Sequence, residues 1–166
     1  MDKPMINNRP PEIGAKAPDF TLPSTMGEDN QVSLSDFKGH PVILVFYPAD
    51  WSPVCGDQIA LYNEIMPTFE DYDAVTIGIS VDNIYCHQAY ADSLNVRFAL
   101  LSDFEPKGEV ARRYGVYSPE SGMTERALFV IDREGVVRWQ DISEGGIEAP
   151  NPGADGILKA LEDLKE

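Results

Sequence analysis

The sequence predicts an α/β fold, a mixed central sheet flanked by helices, on three observations. Residues 42–47 (Val-Ile-Leu-Val-Phe-Tyr) are the longest apolar run and lie between Pro41 and Pro48. A run of strand length with no polar alternation reads as buried on both faces, as at the centre of a parallel sheet. Downstream, short apolar runs alternate with stretches of helical periodicity, and two last apolar runs flank a turn at Asp132 to Gly135. The alternation implies parallel strands joined by crossover helices, and the closing turn implies an antiparallel hairpin.

The elements follow in order. Residues 1–13 hold Pro4, Pro10 and Pro11 without periodicity, so a flexible N-terminal segment is expected there, followed by a single domain over 14–166. Strands over 19–22 and 32–34, either side of Ser24 to Gly27, predict an N-terminal hairpin extension. Ser35 or Asp36 is placed to cap one helical turn that Gly39 stops. After the central strand, Ile59, Tyr62, Ile65 and Met66 give a helix over 53–66, which Pro67 kinks or ends. A strand over 74–80, a helix over 83–94 capped by Asp82, and a strand over 98–101 come next. A short helix over 108–113, the hairpin of 127–131 with 136–139, and a helix over 153–164 complete the chain.

Composition limits the function. Apolar residues make up 43% and charged residues 25% of the 166, the balance of a globular protein rather than a disordered or fibrous one. No apolar run approaches the roughly 20 residues that span a bilayer, so no membrane partner is expected. A net charge of −15 repels phosphate backbones and anionic lipid, which argues against nucleic acid as a partner. The polar start of the chain lacks the apolar core of a secretory signal, which favours a cytoplasmic location. Two cysteines in such a chain argue against a disulfide framework and for reactive or simply buried thiols. His87 beside Cys86 invites a metal reading, but His40 is the only other histidine and zinc needs about four ligands. No metal and no cofactor are predicted.

The chemistry concentrates in residues 48–58, Pro-Ala-Asp-Trp-Ser-Pro-Val-Cys-Gly-Asp-Gln, where the central strand hands over to a helix. Ser52 suits an N-cap and Pro53 the first helical position, which places Cys55 in the first turn. Unpaired backbone N–H groups and the positive end of the helix dipole then surround its sulfur, the setting in which a thiolate nucleophile forms. The competing reading is a small hydrophobe in a core, common for free cysteine. Asp50 and Asp57 are expected to be solvated and to complement the dipole, and Trp51 to be an aromatic at the helix entrance.

Pro48, Ser52 and Cys55 at this spacing resemble the active-site motif of the peroxiredoxins, the alkyl hydroperoxide reductase/thiol-specific antioxidant family. The likeness extends over residues 14–164. It includes the opening Gly-Ala-Lys-Ala-Pro-Asp-Phe-Thr-Leu of 14–22, the segment Ser35 to Gly39 and Arg126 at the head of Arg-Ala-Leu-Phe-Val-Ile-Asp. The stretch Leu-Ser-Asp-Phe-x-Pro-x-Gly of 101–108 is most similar to the alkyl hydroperoxide reductase E-like branch. The resemblance implies a thioredoxin-like fold and a thiol-dependent peroxidase for hydrogen peroxide and organic hydroperoxides. It implies Cys55 as the peroxidatic cysteine that becomes a sulfenic acid, with Ser52 bonding the peroxide. Arg126 would stabilise negative charge and Pro48 would cover the sulfur. Gln58 stands where many members have glutamate and is given no role. A thioredoxin- or glutaredoxin-like reductant and a homodimer are further implications.

Cys86 falls in the first turn of the helix after the next strand. Helices that follow adjacent parallel strands start at the same sheet edge, so the two thiols are expected to be neighbours. An intramolecular Cys55–Cys86 disulfide is the reading carried forward, with an inert Cys86 as the alternative. It requires local opening around Cys55, because the Cα atoms must approach within about 7 Å, and Gly56 eases that opening. Some bacterioferritin-comigratory-type members resolve from this helix. A thioredoxin-like disulfide oxidoreductase stays open as an alternative function, although position 58 is not the second cysteine of Cys-x-x-Cys. So does a redox-sensing or chaperone module on the same fold.

Overall fold

A computed structural model of the chain describes residues 9–165. Its centre is a five-stranded sheet in the order β5-β4-β3-β8-β9, formed by β3 (Val42–Phe46), β4 (Val75–Ser80), β5 (Ala99–Ser102), β8 (Arg126–Ile131) and β9 (Val137–Ser143). β3, β4 and β5 run parallel, while β8 and β9 are antiparallel to their neighbours, so the sheet is mixed as predicted. Every residue of β3 is buried, as its uninterrupted apolar run requires.

The alternation of side chains along these strands divides the core in two. Ile43, Val45, Tyr47, Leu100, Leu128 and Val130 face α1 (Pro53–Glu64), α2 (Met66–Glu70), α3 (Ile84–Leu94) and α5 (Asp155–Asp163). Leu44, Phe46, Ile77, Ile79, Leu101 and Phe129 face α4 (Glu109–Arg113) and the N-terminal hairpin of β1 (Thr21–Pro23) and β2 (Gln31–Ser33). Among the described residues no helix is long and apolar enough to cross a membrane.

Several boundaries differ from expectation for local reasons. The one-turn 3-10 helix at Leu34–Phe37 is capped by Ser33, whose N–H donates to Asp36 Oδ2 at 2.9 Å in a capping box, rather than by Ser35 or Asp36. The long helix divides at Ile65, and Pro67 lies in the first turn of α2, where its missing N–H costs nothing. Asn83, not Asp82, caps α3 by accepting from Cys86 N–H at 2.9 Å. A small hairpin of β6 (Tyr117–Ser118) and β7 (Met123–Thr124) was not anticipated, because two-residue strands carry no periodicity. Of the segment expected to be flexible, residues 1–8 lie outside the described residues. Arg9 and Pro10 pack against Gly115, where a Cβ would come within 2.2 Å of Arg9 C.

Candidate active site

β3 and β4 are adjacent and parallel, so the helices that follow them, α1 and α3, begin at the same sheet edge. β8 runs antiparallel to β3 with Ala127 opposite Phe46, which brings its first residue, Arg126, to that edge as well. Topology alone thus gathers residues 48–58, the start of α3 and Arg126.

Cys55 is fully buried in the first turn of α1. The Arg126 guanidinium, 1% exposed, donates from Nη1 to Cys55 Sγ at 3.3 Å and to Gln58 Oε1 at 2.9 Å. Its Nε donates to the Ala149 carbonyl at 3.2 Å and its Nη2 to the Ile147 carbonyl at 3.3 Å. A planar fork held at four acceptors cannot swing away, so its charge is fixed beside the sulfur. The acceptor carbonyls come from the turn at Gly146–Glu148 and the residue after it. Gln58 is held in turn, with its amide donating to Tyr62 OH at 3.1 Å. Tyr62 OH donates to the Gly153 carbonyl at 2.8 Å.

Ser52 occupies the N-cap position, but its hydroxyl makes no capping bond and has no protein partner among the described residues despite being buried. A buried hydroxyl without a partner is uncommon, and this one is free to bond a small oxygen ligand. Pro48 is buried between β3 and this loop. The Tyr90 hydroxyl on α3 is likewise buried and unpartnered, 3.6 Å from the position a Cβ on Gly56 would take. Burial pushes the Tyr90 phenol up, reinforced by the negative charges of Asp50 and Cys55.

Asp50 is not the solvated helix-start residue that its position suggested. It is buried, accepts from Tyr47 OH on Oδ1 at 2.6 Å and meets His87 Nδ1 with Oδ2 at 2.6 Å. His87 Nε2 faces the Leu101 carbonyl at 2.9 Å, so both ring nitrogens have an acceptor to donate to. The loop achieves this by placing Trp51 at φ 69°, in the left-handed region. Asp50 then turns inward while the indole, 57% exposed, lies over Tyr90 with ring centroids 5.2 Å apart.

Cys86 is partly buried on α3, one helical turn before Tyr90, and neither it nor Cys55 is in a disulfide. One ligand-type atom each of Cys86, Asp50 and Asp82 lie within 4.8 Å of one another. Three donors fall short of the four ligands that zinc needs, so this group is a poor fit for that ion. Burial pushes the Cys86 thiol up, and the charges of Asp50 and Asp82 push it further in the same direction.

The AhpC/TSA family pattern matches residues 13–140. The chain belongs to the AhpC/TSA family. Among curated peroxiredoxins, it is 36% identical to alkyl hydroperoxide reductase E of Mycobacterium tuberculosis over 137 residues, 81% of this chain and 87% of that one. It is also 36% identical over 143 residues to a putative peroxiredoxin of Coxiella burnetii, covering 81% of this chain and 92% of that protein. Its fold superposes on the reduced 2-Cys peroxiredoxin of Plasmodium vivax with a TM-score of 0.83 at 28% identity, over 94% of this chain and 83% of that one. Peroxidoxin BcpB of Mycobacterium tuberculosis gives 0.80 at 28% identity, over 94% and 99%. The thioredoxin-like fold and the thiol-dependent peroxidase class expected of a peroxiredoxin are therefore both met.

The sequence singled out Pro48, Ser52, Cys55 and Arg126 as candidates, and the structure brings the last two into direct contact. It missed Gln58, although a residue three after Cys55 shares its helix face. The buried Tyr47, Asp50 and His87 group gave no sequence signal, because nothing local distinguishes an inward aspartate from a solvated one.

Proposed function

We propose that Cys55 is the peroxidatic cysteine of a two-cysteine peroxidase in which Cys86 resolves the oxidised form. The observation that carries this reading is the 3.3 Å hydrogen bond from Arg126 to the Cys55 sulfur. A fixed cation supports negative charge both on the attacking sulfur and on the departing oxygen, where such preorganisation lowers the barrier most. Sulfur attacks one peroxide oxygen, the O–O bond breaks, and the other oxygen leaves as water or an alcohol after taking a proton. Cys55 is left as a sulfenic acid. Ser52, with its free hydroxyl beside the helix start, holds the peroxide in line for this displacement. Pro48 limits water at the sulfur. No cofactor is required, since thiol and peroxide exchange both electrons directly.

Cys86 then attacks the sulfenic sulfur, giving a Cys55–Cys86 disulfide and water. Support comes from the shared sheet edge of α1 and α3, and from Tyr90 on the helix of Cys86, which shares a buried cluster with Cys55. Because Cys55 is fully buried, this step requires the first turn of α1 to open. A thioredoxin- or glutaredoxin-like dithiol returns the disulfide to thiols in the cytoplasm, a reducing compartment suited to two free cysteines. Residues 14–166 serve as one functional domain, and two copies pair as a homodimer. The disulfide-oxidoreductase alternative is disfavoured, because position 58 is a glutamine bonded to Arg126 rather than a second thiol.

Mixing reduced protein with one equivalent of hydrogen peroxide and mapping the products by mass spectrometry tests this. Loss of the Cys55 thiol within milliseconds to seconds, followed by a Cys55–Cys86 peptide two hydrogens lighter, is expected. Thiol loss taking hours, or a stable sulfenic acid beside a free Cys86, contradicts the peroxidase role or the resolving role respectively.

A further inference from the structure

The two thiols stand in fields of opposite sign. Cys55 has the Arg126 guanidinium at 3.3 Å, whereas the Cys86 sulfur lies within 4.8 Å of carboxylate oxygens of both Asp50 and Asp82. The charged and titratable groups around Cys86 come from every neighbouring element: Asp50 from the loop after β3, Asp82 from the loop after β4, and His87 and Tyr90 from α3 itself. The His87 ring is engaged with Asp50 and Leu101, and the Trp51 indole beside the thiol can only donate, so the carboxylates are the acceptors available to it. Such a field keeps Cys86 a thiol, and a thiol neither consumes peroxide nor attacks a sulfenic acid efficiently. The resolving step therefore needs a base at Cys86.

We propose that the Asp50 carboxylate is that base, accepting the Cys86 proton as Cys86 attacks the Cys55 sulfenic acid; this rests on the reading of Cys86 as the resolving thiol. Asp50 is positioned for the task by Tyr47 OH at 2.6 Å, His87 Nδ1 at 2.6 Å and its own N–H bonded to Asp82 Oδ2 at 2.9 Å. Each carboxylate oxygen has two acceptor sites, so one per oxygen stays open. Asp82 Oδ2 already accepts from two donors, the Ser80 hydroxyl and the Asp50 N–H, whereas each Asp50 oxygen accepts from one. Asp50 belongs, moreover, to the loop that carries Ser52 and leads into Cys55, so it is tied to both partners of the disulfide.

The step balances without an outside reagent. The Cys86 S–H proton passes to Asp50, the sulfur electron pair forms the S–S bond, and the Cys55 S–O bond breaks. The departing hydroxide takes the proton from Asp50 and leaves as water. Cys86 is oxidised and the sulfenic sulfur of Cys55 is reduced.

The test follows disulfide formation after a single equivalent of hydrogen peroxide, by rapid alkylation and mass spectrometry, in wild type, Asp50→Asn and Asp82→Asn across pH. Asp50→Asn is expected to slow disulfide formation by about 10²-fold near neutral pH, the usual size of a general-base effect. Its rate should then climb with pH as Cys86 ionises unaided, while the wild-type rate varies less. A slower wild-type reaction in heavy water supports the proposal independently, and keeps it testable should Asp50→Asn fail to fold. Equal rates and pH slopes in wild type and Asp50→Asn overturn it, as does a slowing confined to Asp82→Asn. A wild-type protein that forms no Cys55–Cys86 disulfide at all overturns the resolving reading of Cys86 and the proposal with it.

Discussion

Arg126 Nη1 donates to Cys55 Sγ across 3.3 Å although 71 residues separate them. The contact is a product of strand order: β8 lies antiparallel to β3, so the head of one strand meets the helix that leaves the end of the other. A buried guanidinium is tolerated there because four of its five N–H donors find acceptors, two of them backbone carbonyls.

Replacing Arg126 by lysine keeps the charge but loses the fork that spans Cys55, Gln58, Ile147 and Ala149. The second-order rate of Cys55 oxidation by hydrogen peroxide should fall by about 10²–10³-fold, the scale of losing one oriented donor. Stopped-flow fluorescence reads it through Trp51. An unchanged rate would remove the guanidinium from the mechanism.

Gln58 accepts from the same Arg126 nitrogen that donates to the Cys55 sulfur. Gln58→Leu leaves a buried guanidinium N–H without its 2.9 Å acceptor, and should cost about 1–3 kcal/mol of stability. Its peroxide rate should drop about tenfold, equivalent to about 1.4 kcal/mol in the barrier. Gln58→Glu retains the acceptor and makes the bond charge-assisted, so most of both losses should be restored. Chemical denaturation and stopped-flow kinetics on the pair check this, and identical behaviour of the two variants would contradict it.

Tyr90→Phe removes a buried hydroxyl that has no protein partner among the described residues. Deleting a group that gives up water without a fixed replacement should stabilise the fold by about 1 kcal/mol. If the phenol instead bonds the peroxide near Gly56, KM for peroxide rises in the same variant. Thermal melts and steady-state kinetics separate the two effects; a destabilised variant with unaltered KM would refute both.

Asp103, 1% exposed, accepts from the N–H groups of Val110 and Ala111 at 3.1 and 2.9 Å, and burial outweighs those bonds to push its carboxyl up to about 6. The folded chain therefore binds this proton more tightly than the unfolded chain does. The contribution to stability is complete below about pH 4, near the unfolded value, and is lost as pH rises through about 6, amounting to at most about 3 kcal/mol. Wild type should lose stability relative to Asp103→Asn across that window, measured by urea denaturation at each pH. Parallel pH curves would show that the carboxyl is not held protonated.

The mixed sheet was legible because β3 is wholly apolar and because β8 and β9 flank a turn rich in polar residues and glycine. The juxtaposition of Pro48, Ser52 and Cys55 was legible for a similar reason: they lie within one strand-to-helix turn, where spacing along the chain is also spacing in space. The cap of α3 was misassigned by one residue, because Asp82 and Asn83 are both good caps. Only the fold showed that Asp82 is taken by Ser80 and by the Asp50 N–H.

From the order of residues alone came the sheet and the helix that begins two residues before Cys55, since these rest on local periodicity and capping; the reading of Cys55 as a nucleophile came from the resemblance of its motif. Tertiary structure decided the rest. It put Arg126 and Gln58 on the sulfur, turned Asp50 inward to His87 and set two carboxylates beside Cys86. Those contacts join segments far apart along the chain, and their energies depend on burial and mutual orientation, which no single segment carries.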